Sequence, residues 1–330
     1  MSAPSQQILR MGFGFALSQS LRVAADLGIA DHLAGGERSV EELAQATQTN
    51  ADALHRVMRL LASEGVFREV SPRRFAQTEL SATLRSDLPS GPRDFVRMIN
   101  SEPFQAFAQL LHSVRTGEPA FDKVFGAPRF EWFGSHPEQA ALFQQAMIAF
   151  SQGANEAVAD AYDFSASRCV ADIGGGHGQL LSAILSRNEH LTGILFDLPA
   201  GIASARTGAG APLPRSELIA GDFFDSVPAA DTYVLKKVIH DWNDARATII
   251  LRNCRKAMPA NGKVLLAETI IPVGNEPNPL KVVDVNMLAV TGGLERTEAQ
   301  FANLLSLSGL RLQRVIATKA PISILEAGAA

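Results

Sequence analysis

The sequence predicts an α/β protein: a parallel sheet wrapped by helices in its second half, preceded by a mostly helical, winged-helix-like domain. Three observations predict it. Beyond residue 167, short apolar runs alternate with helical stretches. Each of those runs ends on a polar or charged residue. The first half instead carries apolar positions at three- and four-residue spacing and closes on a helix, helix, two-strand pattern. At 330 residues the chain fits two domains. The boundaries expected are 1–105 for the helical domain and 106–330 for the catalytic one, with a helical linker over 106–165.

Residues 5–34 place Leu17, Leu21, Ala24, Ala25 and Gly28 on one helical face. Ser39 with Glu42 three residues later is a capping box for a short helix. A second helix starts at Asn50 and is stopped by Gly65. Val66–Val70 and Phe75–Thr78 read as strands around Ser71-Pro72. Helices follow between Pro103 and Ala161, with Phe104, Phe107, Phe143 and Phe150 as apolar anchors. The five strand-like runs are 169–171, 193–196, 217–220, 232–235 and 263–267, with a helix over 244–258 before the last.

Composition narrows the function. A hydrophobic fraction of 46% against 19% charged supports a large core. Net charge of −4 gives no general attraction to nucleic acid, and Arg56 and Arg59 stand in no basic block. No apolar run reaches the ~18 residues of a membrane span. Two cysteines, Cys169 and Cys254, make neither a disulfide framework nor a zinc site, suit the reducing cytoplasm, and leave no metal expected.

Chemistry gathers where the runs end. In order stand Asp172-Ile-Gly-Gly-Gly-His-Gly178, Asp197, Gly221-Asp222-Phe223, Lys236 with His240-Asp241-Trp242, and Glu268. In an open parallel sheet, ligands bind outside the carboxyl ends of the strands. The glycine loop lacks the dinucleotide fingerprint, since Gln179 stands where its third glycine belongs, and it lacks the Lys-Ser/Thr pair of a phosphate-cradling loop. Glycines here let backbone approach a compact nucleoside. Asp197 is placed to accept the hydroxyls of a ribose, and it also precedes Leu198-Pro199, a helix start. Asp222 and Phe223 are placed to bond and cover an adenine. An acidic lining suits a ligand carrying a sulfonium and an ammonium, so S-adenosylmethionine fits better than NAD. His240 is the sharpest catalytic candidate, with Glu268 and Glu295 as carboxylates able to fix its tautomer. Glu295 could equally pair with Arg296 or cap the helix starting near Thr297.

These motifs, together with Leu21-Arg-Val-Ala-Ala-Asp-Leu-Gly-Ile-Ala-Asp31 and Gly292-Gly-Leu-Glu-Arg-Thr297, resemble the large, metal-independent S-adenosylmethionine-dependent O-methyltransferases. That family includes caffeate- and acetylserotonin-type enzymes and bacterial enzymes acting on aromatics and polyketides. The resemblance implies a Rossmann-like sheet and an N-terminal dimerisation domain, hence a homodimer. It implies cofactor contacts at Asp172, Gly174, Gly176, Asp197, Leu198, Asp222, Phe223 and Lys236. It further implies His240 as general base bracketed by Glu268 and Glu295. Phe143, Met147, Asp241 and Met287 would meet a small aromatic acceptor bearing a hydroxyl. Two departures lie away from the chemistry: Asn188-Glu189 replaces a proline before the second run, and 200–215 matches loosely.

The mechanism implied is in-line displacement at a sulfonium methyl, in which the charges of cation and developing phenolate cancel. Phenols ionise near pH ~10, so a base is needed at neutrality. Two rivals remain: a relative that keeps the cofactor but hydroxylates or decarboxylates, and a winged-helix regulator that binds DNA. Neither the acceptor nor the atom methylated is legible in the sequence.

Overall fold

The structure is a computed structural model and describes residues 2–88, 91–151, 153–207 and 213–330. Their contacts divide into two compact units, one of residues 1–108 with 127–151 and one of residues 109–126 with 152–330.

In the first unit the long apolar periodicity is broken into Ala3–Gly12, Gly14–Asp26 and Ile29–His32. The last break falls at Gly28, whose φ of 61° is left-handed. The expected capping box forms: Ser39 Oγ accepts from Glu42 N–H, and the Glu42 carboxylate accepts from Ser39 N–H at 2.6 Å. Asn50 caps the helix Ala51–Ser63, which buries Leu54, Met58 and Leu61 and leaves Arg56 and Arg59 exposed. The wing consists of β1 (Arg38–Ser39), β2 (Phe67–Ser71) and β3 (Arg74–Gln77), all antiparallel in the order β1-β3-β2. Ile29, Leu33, Leu43, Met58, Phe67 and Phe75 form its core. Phe143, in the helix Pro137–Ser151, packs on Phe133 at 5.3 Å, and the Arg129 guanidinium lies over its ring. The Phe150 side chain lies outside the described residues, as does 208–212 of the loosely matched stretch.

The second unit holds a seven-stranded sheet in the order β6-β5-β4-β7-β8-β10-β9. Strands β4 (Cys169–Ile173), β5 (Thr192–Asp197), β6 (Ser216–Ala220), β7 (Thr232–Lys236) and β8 (Lys263–Glu268) are the expected runs, and all are parallel. Their carboxyl ends therefore share one rim. The order reverses at β4, with β5 on one side and β7 on the other, which opens a crevice at that rim. Strands β9 (Leu310–Ala317) and β10 (Ser323–Ala329) extend the sheet antiparallel, β10 lying between β8 and β9. Apolar clusters cover both faces, one around Tyr233, Ile250, Leu266 and Phe301, the other around Leu181, Ile184, Leu195 and Ile324. Among the described residues no helix is long and apolar enough to cross a membrane, and no group of His, Cys, Asp or Glu could hold a metal ion.

Candidate active site

The rim has two halves. The first is the loop after β4 and the ends of β5 and β6. Asp172 is 1% exposed near the end of β4. Its Oδ2 accepts no hydrogen bond from the described residues. Burial pushes its carboxyl up to about 7, against the pull of Lys236 and with the push of Asp197. Gly175 passes so close that a Cβ there would lie 2.6 Å from that oxygen, and the glycines on either side, Gly174 and Gly176, have left-handed φ of 69° and 56°. The loop is tied to β5: Gly174 N–H donates to Phe196 O at 2.8 Å, and Gly176 N–H donates to Asp197 Oδ2 at 2.8 Å. Asp197 Oδ1 accepts from Leu198 N–H at 2.7 Å, and Pro199 opens the helix Pro199–Thr207. Burial raises the Asp197 carboxyl as well. Gly201 admits no side chain, since a Cβ there would lie 2.4 Å from Asp197 Oδ1.

After β6, Asp222 Oδ1 accepts from Phe224 N–H at 2.8 Å and shapes the turn. Phe223 faces the loop glycines, 3.6 Å from where a Gly174 Cβ would lie. Lys236, at the end of β7, is driven by burial below the usual ammonium range. An unpartnered buried carboxyl oxygen, a glycine-rich loop and an aromatic ring thus stand together at this end of the rim.

The second half gathers around His240, in the short turn Ile239–Asp241. Its Nδ1 lies 2.8 Å from Glu295 Oε1. An ionised carboxylate only accepts, so Nδ1 carries a proton, and in the neutral ring Nε2 presents the lone pair. Asp241 Oδ1 stands 3.8 Å from Nε2, beyond hydrogen-bond reach. Burial works to lower the imidazole's basicity, but the Asp241 charge and the Glu295 hydrogen bond outweigh it and raise it above the ordinary value. Burial also opposes ionisation of Glu295, which is 3% exposed; His240, Lys237 and Thr269 overcome this and hold it down at about 2. Glu268 is fully buried, and burial raises its carboxyl. Its Oε1 accepts from Val238 N–H at 3.1 Å and Ile239 N–H at 2.9 Å, fastening the histidine turn to the end of β8.

The alternative pairing of Glu295 with Arg296 does not form. Arg296, 0% exposed, donates to Ile239 O, Trp242 O and Asp244 Oδ1. The helix near Thr297 is capped by Thr297 itself. Gly293 lies against the same turn: a Cβ there would fall 2.0 Å from His240 O, and Leu294 N–H donates to that oxygen at 2.9 Å. Trp242 packs edge-on against Phe224, with the Arg246 guanidinium 4.0 Å above the Phe224 ring.

Of the residues expected at an acceptor, Asp241 and the buried Met287 belong to the second unit, and Phe143 and Met147 to the first. Gly201, Gly293, Arg296, Lys237 and Thr269 were not legible as site residues. Only the Gly-Gly and Glu-Arg pairs of 292–296 hinted at the contacts that Gly293 and Arg296 make.

Comparison with known proteins adds to this geometry. Residues 107–311 match the O-methyltransferase domain, and residues 9–87 match the O-methyltransferase dimerisation domain. The phenazine O-methyltransferase PhzM of Lysobacter antibioticus is 45% identical over 98% of this chain and 96% of its own length. The solved structure of the mitomycin 7-O-methyltransferase MmcR superposes with a TM-score of 0.93 at 36% identity, covering 99% of this chain and 98% of that one. The O-methyltransferase NcsB1 from neocarzinostatin biosynthesis, solved in complex with S-adenosylmethionine and 2-hydroxy-5-methyl naphthoic acid, superposes with a TM-score of 0.86 at 35% identity and 96% coverage of both chains.

Proposed function

The chain belongs to the S-adenosylmethionine-dependent O-methyltransferase family, and from that premise we propose that it methylates a hydroxyl of a small aromatic acceptor with His240 as general base. One observation carries the reading: the Nδ1 of His240 is held at 2.8 Å by a carboxylate, which leaves Nε2 of the neutral ring as a half-buried proton acceptor. A bound S-adenosylmethionine supplies an electrophilic methyl on a sulfonium. Asp172, with its unpartnered Oδ2, suits the ammonium of that ligand; Asp197 suits the ribose hydroxyls, and Asp222 and Phe223 suit the adenine. Leu198, Gly174, Gly176 and Lys236 complete that half.

His240 takes the acceptor's proton on Nε2 as the oxygen acquires charge. The imidazolium is then stabilised by Glu295, whose carboxyl stays ionised throughout the neutral range. Base catalysis of this kind contributes roughly 100- to 10,000-fold, and orientation of the reacting atoms up to ~7–11 kcal/mol. A built base favours oxygen over nitrogen as the acceptor atom. A phenol must lose its proton, whereas an aromatic amine offers its lone pair directly. Within the second unit, Asp241 and Met287 are the acceptor-facing side chains of this reading.

The dimerisation-domain match supports a homodimer. Ile8, Met11, Phe13 and Phe15 are each more than half exposed on the first two helices, which suits burial against a second copy. Nucleic acid and membrane have no place in this reading, and the cytoplasm suits it.

A screen with methyl-labelled S-adenosylmethionine against matched phenols and anilines tests the proposal. Labelled phenol ethers are expected. Label on the amines alone, or an oxidised or decarboxylated product, would overturn it. Light scattering should give twice the chain mass.

A further inference from the structure

We propose that Lys237 is a positioning residue for His240: its ammonium shares Glu295 Oε1 with the imidazole, fixes that carboxylate through Thr269, and offsets the surrounding acids so that the ring stays free to accept a proton. The inference rests on the reading of His240 as the base.

Two lysines follow one another at the end of β7; both lie near Glu268, but their other carboxylates differ. Lys236 faces Asp172 and Glu268. At Lys237 the chain turns through a left-handed φ of 55°, a conformation lysine does not favour by itself, with its N–H donating to Ala267 O at 3.1 Å. The turn carries its side chain to the other half of the rim. There Nζ donates to Thr269 Oγ1 at 2.6 Å and to Glu295 Oε1 at 3.3 Å, and it lies 4.0 Å from Glu268 Oε2. Thr269 Oγ1 donates to Glu295 Oε2 at 2.5 Å. Both oxygens of Glu295 are thereby committed, one to the hydroxyl and one to the ammonium and imidazole together.

The imidazole is faced by acids from several elements: Asp241 on its own turn, Glu268 from β8, and Glu295 from the segment after the helix Pro279–Val290. Asp284 Oδ1 of that helix accepts from the Glu295 backbone N–H at 2.8 Å. Arg296 meets the turn on its backbone side and is itself neutralised by Asp244. Lys237 is thus a cation set among the carboxylates around the ring and hydrogen-bonded to the one that holds it. Without it, the acids would retain a proton on His240 into the range where the base must be empty. A lysine serving only to brace the fold would leave that titration unmoved.

The test follows the ring of His240 by NMR in histidine-labelled full-length protein, assigned by its loss in His240→Gln, across pH. Lys237→Met, and Lys237→Gln should that chain not fold, is expected to move the His240 midpoint upward by about one pH unit. Lys237→Arg, which keeps the charge, should leave it in place. The acid limb of kcat/KM for a phenol should rise in step. An unmoved midpoint in the neutral variant, or an equal shift in Lys237→Arg, would overturn the proposal. Because the ring titration needs no turnover, a chain that methylates no phenol would sink the function while this test still reads Lys237.

Discussion

The two halves of the rim are built in opposite ways. Around β4 and β5, side chains are removed and a carboxyl oxygen is left unpartnered: Gly174, Gly175 and Gly176 clear the loop, and Asp172 Oδ2 accepts nothing from the described residues. Around β7 and β8, most polar atoms are already engaged, with Glu268 Oε2 an exception among the described residues. Glu295 takes three donors, Glu268 takes two backbone N–H groups, and Arg296 gives to two carbonyls and a carboxylate. A binding surface needs unfilled valences for its ligand to complete. A base needs the reverse, because any freedom in its partners is freedom in the direction of its lone pair.

The sharpest way to separate the halves is His240→Ala. Turnover should fall roughly 100- to 10,000-fold while affinity for S-adenosylmethionine persists, as steady-state rates and calorimetric titration would read. A matching loss of affinity would mean that the two halves are one. Asp197→Ala should do the converse. Affinity for S-adenosylmethionine should weaken about 10- to 100-fold, through loss of charge-assisted hydrogen bonds, with the rate at saturation much less changed.

Gly293→Ala probes the crowding of the second half alone. The added Cβ would meet His240 O at 2.0 Å, so the thermal melt should show about 1–3 kcal/mol of destabilisation together with slower turnover. The smallest effect belongs to the unfilled half. With the Asp172 carboxyl near 7, a cationic ligand favours its ionised form. Affinity should therefore fall as pH drops below about 7, by up to about tenfold per unit, and level off above it. Titrations in two buffers of different ionisation enthalpy should detect proton release below that pH, and Asp172→Asn should abolish it.

The unfilled half was the more legible in sequence. Apolar runs that end on Asp172 and Asp197, with glycines after the first, announce themselves in one dimension because the strand, the turn and the ligand group are contiguous. The engaged half was legible only in its principals. His240, Glu268 and Glu295 stand at strand ends or in a Gly-Gly segment, but what joins them depends on directions that a linear pattern does not carry. Lys236 and Lys237 are chemically identical neighbours that share Glu268, yet past a left-handed turn Lys237 reaches Glu295 while Lys236 faces Asp172. Glu295 and Arg296 invite pairing with each other, yet their side chains reach different partners, one the imidazole and the other Asp244. The last two strands escaped for another reason. In β9 exposed Arg311 and Arg314 interrupt the apolar positions, and β10 carries Glu326 and Gly328, so neither shows the continuous apolar run of β4 or β8. The N-terminal periodicity read as one helix because Phe13 and Gly28 break the backbone without breaking the apolar spacing.

The adjacency of Glu295 and Arg296 has a mechanical side. One residue grips the ring of His240 and the next grips the carbonyls of Ile239 and Trp242 that flank it. Imidazole and carboxylate are in effect rivets through a single plate. If this edge of the molecule sways as an acceptor enters or a product leaves, the pair travels together, and its alignment survives the excursion.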